Sequence, residues 1–147
     1  MKLQQVNAAL YLARIQATSH KTAANDQRLS YERAALWYLN QAQDELVNAL
    51  REHHGLRGHA DETQTLKELA ARDLPSAAGD QILAWPYWGA CRKALLPASQ
   101  AAREAAIINA VDDDQALIKQ AMQTGYQDWI ESLSALCLSL QSAYAEY

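Results

Sequence analysis

Four histidines and a scatter of carboxylates are the side chains of this sequence with the most chemistry to offer. His53, His54 and His59 stand close to Asp61, and together they carry the imidazole and carboxylate groups that ligate zinc and similar metals. Adjacent residues on a helix point about 100° apart, so one compact site would need the chain after His54 to fold back on itself. The expected state of these rings is a solvated helix end, with no metal. The Glu-x-x-His pairs of di-iron bundles and the His-Glu-x-x-His helix of zinc proteases are absent from the sequence.

Acid–base and nucleophilic chemistry find little more to use. Glu32, Asp44, Glu45 and Glu52 fall on one predicted helix, where carboxylates ordinarily solvate a polar face or pair along it. Ser132, Ser134, Ser139 and Ser142 have no glycine-rich elbow and no assigned base. The five glycines are scattered, so no phosphate-cradling loop is present. Cys91 and Cys137 are far apart and embedded in apolar patterns, which reads as two buried thiols in a reducing compartment. No catalytic residue and no cofactor is assigned, and the sequence leans away from an enzyme.

Aromatic residues say more. Phenylalanine is absent, while four tryptophans and seven tyrosines supply rings that also hydrogen-bond and suit places with one apolar and one wet end. Trp37 and Tyr38 fall off the narrow stripe of their helix, Trp85 and Trp88 flank Pro86 with Tyr87, and Leu138 stands opposite the apolar seam of the last helix. Burial on a second face of a bundle accounts for such residues. A contact surface also accounts for them, since tryptophan and tyrosine are enriched at interaction hot spots. Trp37, Tyr38, Trp85, Trp88 and Leu138 are therefore the candidate binding residues.

Helical periodicity positions these groups almost throughout the chain. Leu3, Val6, Leu10, Ala13 and Ala17 step by three and four along a first helix, and Tyr11, Leu12 and Ile15 are expected to broaden its buried face toward a second neighbour. The polar run Thr22 to Gln27 is the expected first turn. A second helix follows from Asp26 or Ser30 to His54, with Ala35, Leu36, Leu39, Ala42, Leu46, Ala49 and Leu50 on one stripe and Gly55 at its C-cap. Asp61 and Gln64 are placed to cap a short helix whose apolar face is Leu66, Leu69 and Ala70, and Pro75 ends it. Short helices are expected either side of Pro86, another from Ser99 to Ala110, and a helix start at Asp112-Asp113-Asp114. The last helix aligns Tyr126, Trp129, Leu133, Leu136, Leu140, Ala143 and Tyr147, broadened by Ile130, Cys137 and Tyr144.

Three stretches carry a resemblance: Asn7-Ala8-Ala9-Leu10-Tyr11-Leu12-Ala13, Tyr31-Glu32-Arg33-Ala34-Ala35-Leu36-Trp37-Tyr38-Leu39 and Trp129-Ile130-Glu131-Ser132-Leu133. In order and spacing they resemble a bacterial domain-of-unknown-function family of short helical proteins, which implies a helical fold and no activity. The segment Tyr31 to Leu50 is also similar to the second helix of the HEPN superfamily, bundles that accompany nucleotidyltransferases or act as toxin ribonucleases. That likeness implies an Arg and a His spaced as Arg14 and His20 are. The pair sits here on the first helix, not on the later helix where the family carries it, and six residues turn a helix by about 600°, which separates the two side chains.

The chain of 147 residues is long enough for a single domain with its own core, spanning 1–147. The expected fold is all-α, an antiparallel bundle of about four main helices with one or two short connecting helices. A net charge of -4 repels phosphate backbones, so no nucleic-acid partner is expected. No run of about 18 apolar residues marks a membrane span and no signal peptide precedes the first helix, so the expected location is cytoplasmic. For function the expectation is a noncatalytic interaction or structural protein, with a protein partner or self-association as a homodimer. The alternative is a HEPN-like toxin ribonuclease or nucleotidyltransferase companion.

Overall fold

The computed structural model of the chain describes residues 1–109 and 125–143. Seven helices lie among them: α1 (Gln4–Thr22), α2 (Asn25–His53), α3 (Glu62–Ala71), α4 (Ala77–Leu83), α5 (Trp88–Ala94), α6 (Pro97–Asn109) and α7 (Tyr126–Ala143). Asp112, Asp113, Asp114, Tyr144 and Tyr147, which have expected roles at helix ends and on the last seam, lie outside the described residues. No helix among the described residues is long and apolar enough to cross a membrane.

α1 and α2 form the frame. Ala23 and Ala24 are extended, with ψ of 152° and 153°, and this two-residue break inside the expected turn reverses the chain. Leu3, Val6, Leu10, Ala13 and Ala17 of α1 are buried, as are Ala35, Leu36, Leu39, Ala42, Leu46, Ala49 and Leu50 of α2. The small alanines in both stripes let the two backbones approach closely, and the α1/α2 contact is the most extensive between any two of these helices. α2 ends in a Schellman motif. Gly55 takes φ +67°, the Leu56 N–H donates to Arg51 O over 2.8 Å, and the Gly55 N–H donates to Glu52 O over 3.1 Å.

Three short helices connect this frame to α6, because Asp61, Ser76 and the corner at Pro86 each start a new one. The Asp61 carboxylate accepts from the Gln64 N–H at 2.8 Å and the Ser76 hydroxyl from the Gly79 N–H at 2.9 Å, both N-caps. The buried side of α3 is Thr65 and Leu69; Leu66, expected on that face, is exposed. α7 closes the bundle against α1, α2 and α4. Its buried line is Tyr126, Ile130, Leu133, Ser134, Cys137 and Leu140, whereas Trp129 and Leu136 are half-buried. The stripe is thus rotated toward the residues expected to flank it, since α7 meets α1 and α2 on one side and the α4–α5 corner on the other.

Candidate interaction surface

The stripe that buries α1 leaves the opposite side uncovered. Tyr11, Leu12 and Ile15 are exposed, Tyr11 by 64%. They do not widen the buried face as the sequence suggested. α1 packs mainly on α2 and α7, and at about 100° per residue Tyr11 and Ile15 point away from both. Between Lys2 and Lys21 the one formally charged side chain of α1 is Arg14. Arg14 Nε donates to Glu131 Oε1 of α7 at 3.2 Å and Nη2 to Oε2 at 3.3 Å, with both side chains open to solvent.

Two contacts set the register of α7 on α1. Arg14 meets Glu131, and the His20 ring meets the Tyr126 ring edge-on at 5.7 Å, so the two helices run antiparallel. Equal steps along each helix then bring Leu138, seven residues past Glu131, level with Asn7, one turn from Tyr11. Leu138 is 66% exposed. Tyr11 and Ile15 of α1 and Leu138 of α7 are thus exposed apolar groups on the two helices that the Arg14–Glu131 pair joins, with Leu12 on the far flank of α1.

The other aromatic candidates lie elsewhere. Trp37 is 56% exposed and its ring meets that of half-buried Tyr38 edge-on at 5.2 Å. One turn to either side, Arg33 donates to Gln100 of α6 at 2.9 Å and Asn40 donates to Cys91 O of α5 at 3.0 Å. Trp37 therefore belongs to the side of α2 beside α5 and α6, while Leu138 flanks α1, and the two do not share a surface. Trp85 and Trp88 are buried. Their rings meet edge-on at 5.5 Å, Trp85 Nε1 donates to Ser132 Oγ at 2.9 Å, and Trp88 Nε1 donates to Ile82 O at 3.0 Å. Tyr87 stacks on Trp129 at 6.0 Å. This cluster packs the α4–α5 corner onto α7.

A buried polar centre, unread in the sequence, lies at the other end of the α1/α7 seam. Glu32 of α2 is fully buried and accepts from Arg103 Nη2 of α6. Loss of hydration pushes its carboxyl up to about 7, against the pull of Arg103 and Arg33. His20 is buried against the Tyr126 ring, its pKa lowered by burial and by Arg28 and Arg103. Both ring nitrogens of His20, Glu32 Oε1 and Arg103 Nε have no hydrogen-bond partner among the described residues. Tyr126 completes the group, its hydroxyl raised above the ordinary tyrosine range by burial and by Glu32. The sequence does carry a signal for this centre: Glu32 falls four residues before Leu36, on the apolar stripe rather than on the polar face expected for it.

The histidine-rich segment is held by separate contacts. His54 Nε2 pairs with Ser76 Oγ at 2.8 Å, and His59 Nδ1 with Asn48 Oδ1 at 3.2 Å. No group of three or more His, Cys, Asp or Glu side chains among the described residues is gathered to hold a metal. An open polar cleft of about 610 Å³ is lined by Asp44, Asn48, His59, Ala60, Asp61 and Arg92. Cys91 and Cys137 are free and buried, and burial pushes each thiol up to about 12, which keeps them protonated and unreactive. Arg14 and His20 part company: Arg14 reaches solvent at Glu131, and His20 turns into the bundle.

Comparison with protein-family models, with curated proteins and with solved structures finds no match to this chain.

Proposed function

We propose that this protein is a noncatalytic helical interaction module that pairs with a second copy of itself through the outer side of α1 and the adjoining edge of α7. The observation that carries this reading is the exposure of Tyr11, Ile15 and Leu138, solvent-facing apolar groups on the two helices that the Arg14–Glu131 pair joins. Single exposed leucines are ordinary on a protein surface, but neighbouring large apolar groups from two elements mark a contact site. Charge argues for a second copy as the occupant. Arg14 and Glu131 place both signs in the seam, so a two-fold partner can set its Glu131 against Arg14 and its Arg14 against Glu131. A partner of one charge would be repelled by one member of the pair.

The test is the mass in solution. Light scattering should give a dimer for the wild type, and Leu138→Glu or Tyr11→Glu should return it to a monomer, because a two-fold interface receives each new charge twice. Trp37→Glu, on the other side of the bundle, should leave the dimer intact. Dissociation by Trp37→Glu but not by Leu138→Glu would move the interface to α2, and a wild type that stays monomeric at high micromolar concentration would end the reading.

A further inference from the structure

The open cleft of about 610 Å³ beside the histidine-rich segment takes its walls from elements that are tied to one another. Asp44 and Asn48 stand one turn apart on α2 and so share a face. Arg51 donates to Arg57 O and Gly58 O, which anchors the loop that brings His59, Ala60 and Asp61 to the rim. Arg92 of α5 supplies a further wall. Both of its terminal nitrogens donate to the Glu62 carboxylate, which ties α5 to the start of α3.

The polar groups left over in this lining are mostly acceptors. Asn48 Oδ1 accepts and never donates, so its 3.2 Å bond with His59 places the ring proton on Nδ1 and leaves Nε2 of the neutral ring with a lone pair. Asp61 spends one carboxylate oxygen on the Gln64 N–H that it caps, and the other makes no hydrogen bond among the described residues. Asp44 makes neither a hydrogen bond nor an ion pair among them. Partial burial and Glu62 push its carboxyl up, against the pull of Arg92. Arg92 is the one cation of the lining, and Glu62 already engages its terminal nitrogens, so an anion finds no open guanidinium fork. Asp44, Asp61 and Glu62 against Arg92 leave the cleft with an excess of negative charge. Asp44, His59 and Asp61 are not gathered to hold a metal ion, so that excess suits a larger cation.

We propose that this cleft binds a small organic cation, whose primary ammonium or guanidinium head is held by the carboxylates of Asp44 and Asp61 and donates to His59 Nε2. Several N–H donors on one positive head match several acceptors around one cleft. The volume lies in the range of small-molecule pockets, about 300 to 1,000 Å³. The cleft is built from α2, α3, α5 and the loop between α2 and α3, so this reading does not depend on pairing through α1 and α7.

Titration of the full chain with 1,4-diaminobutane and with agmatine, followed by amide chemical shifts, reads the site directly. Salt at about 0.15 M screens loose counterion attraction. The expected response to at least one of the two amines is saturable and one-to-one, centred on Asp44, Asn48 and residues 59–62. Asp44→Asn and Asp61→Asn should each weaken it about tenfold, the loss of a charged hydrogen-bond partner. Asn caps a helix as well as Asp does, and Asp44 reaches solvent, so both variants should keep the fold. Tetramethylammonium carries the charge without a donor and should bind at least about tenfold more weakly than the better amine. No saturable response to either amine, a response that either substitution leaves unchanged, or one that tetramethylammonium reproduces would overturn the proposal.

Discussion

Arg51 sits in the last turn of α2 with its guanidinium enclosed, and each nitrogen has an acceptor: Nε gives to Gly58 O, Nη1 to Thr65 Oγ1 and Glu68, and Nη2 to Arg57 O. One side chain thereby fixes the α2–α3 connection and stands in for the apolar packing that a short loop lacks. Arg51→Met should cost at least about 3 kcal/mol in urea unfolding, since several acceptors lose a charged donor at once. A loss below about 0.5 kcal/mol would mean that water satisfies them. In α7 the rotated stripe orders two substitutions. Leu133→Ala should cost about 2 to 5 kcal/mol, and Leu136→Ala, at a half-buried site, distinctly less. Equal costs would place the seam where the sequence stepping puts it. His20 has its own signature: its stability contribution, present above 6.5, falls away on acidification, so His20→Asn should flatten the acid side of the stability profile.

Elements were more legible than the residues between them. α1 and α2 follow apolar steps of three and four that only a helix satisfies, and Asp61 and Gly55 are end signals with a physical cause. What spacing could not give is which of two adjacent stripes faces inward. Ile130 and Cys137 are buried on α7 while Trp129 and Leu136 are half-buried, because neighbours on both sides, not periodicity, set the rotation. The same blindness puts Tyr11, Leu12 and Ile15 inside, since an apolar residue on a helix reads as core until the neighbouring helices are known. Glu32 errs the other way, reading as polar face although its position on the stripe buries it. The caps allow a check at this scale. Asp61→Ala should cost about 0.5 to 2 kcal/mol by freeing the Gln64 N–H. Gly125 takes φ +82° where α7 begins, and a Cβ there would come within 3.4 Å of Trp129 Nε1. Gly125→Ala should cost about 1 to 2 kcal/mol, chiefly from the left-handed backbone.

At the scale of the whole molecule, the bundle turns its Trp85–Trp88 cluster inward and leaves Tyr11, Ile15 and Leu138 exposed beside the Arg14–Glu131 pair. An interface that places Arg14 and Glu131 opposite their two-fold mates makes a demand on charge reversal that no monomer makes. Arg14→Glu alone sets a carboxylate at position 14 against the partner's Glu131 twice over, and Glu131→Arg alone sets a guanidinium at position 131 against the partner's Arg14 twice over. Each variant should therefore sediment as a monomer of 16.3 kDa. Mixed in equal amounts, the two chains restore opposite charges across both halves of the interface. Sedimentation velocity of that mixture is the most direct measurement: the expected species is a heterodimer of about twice the chain mass, and a mixture that remains at 16.3 kDa while the wild type is also monomeric would contradict self-association through this face.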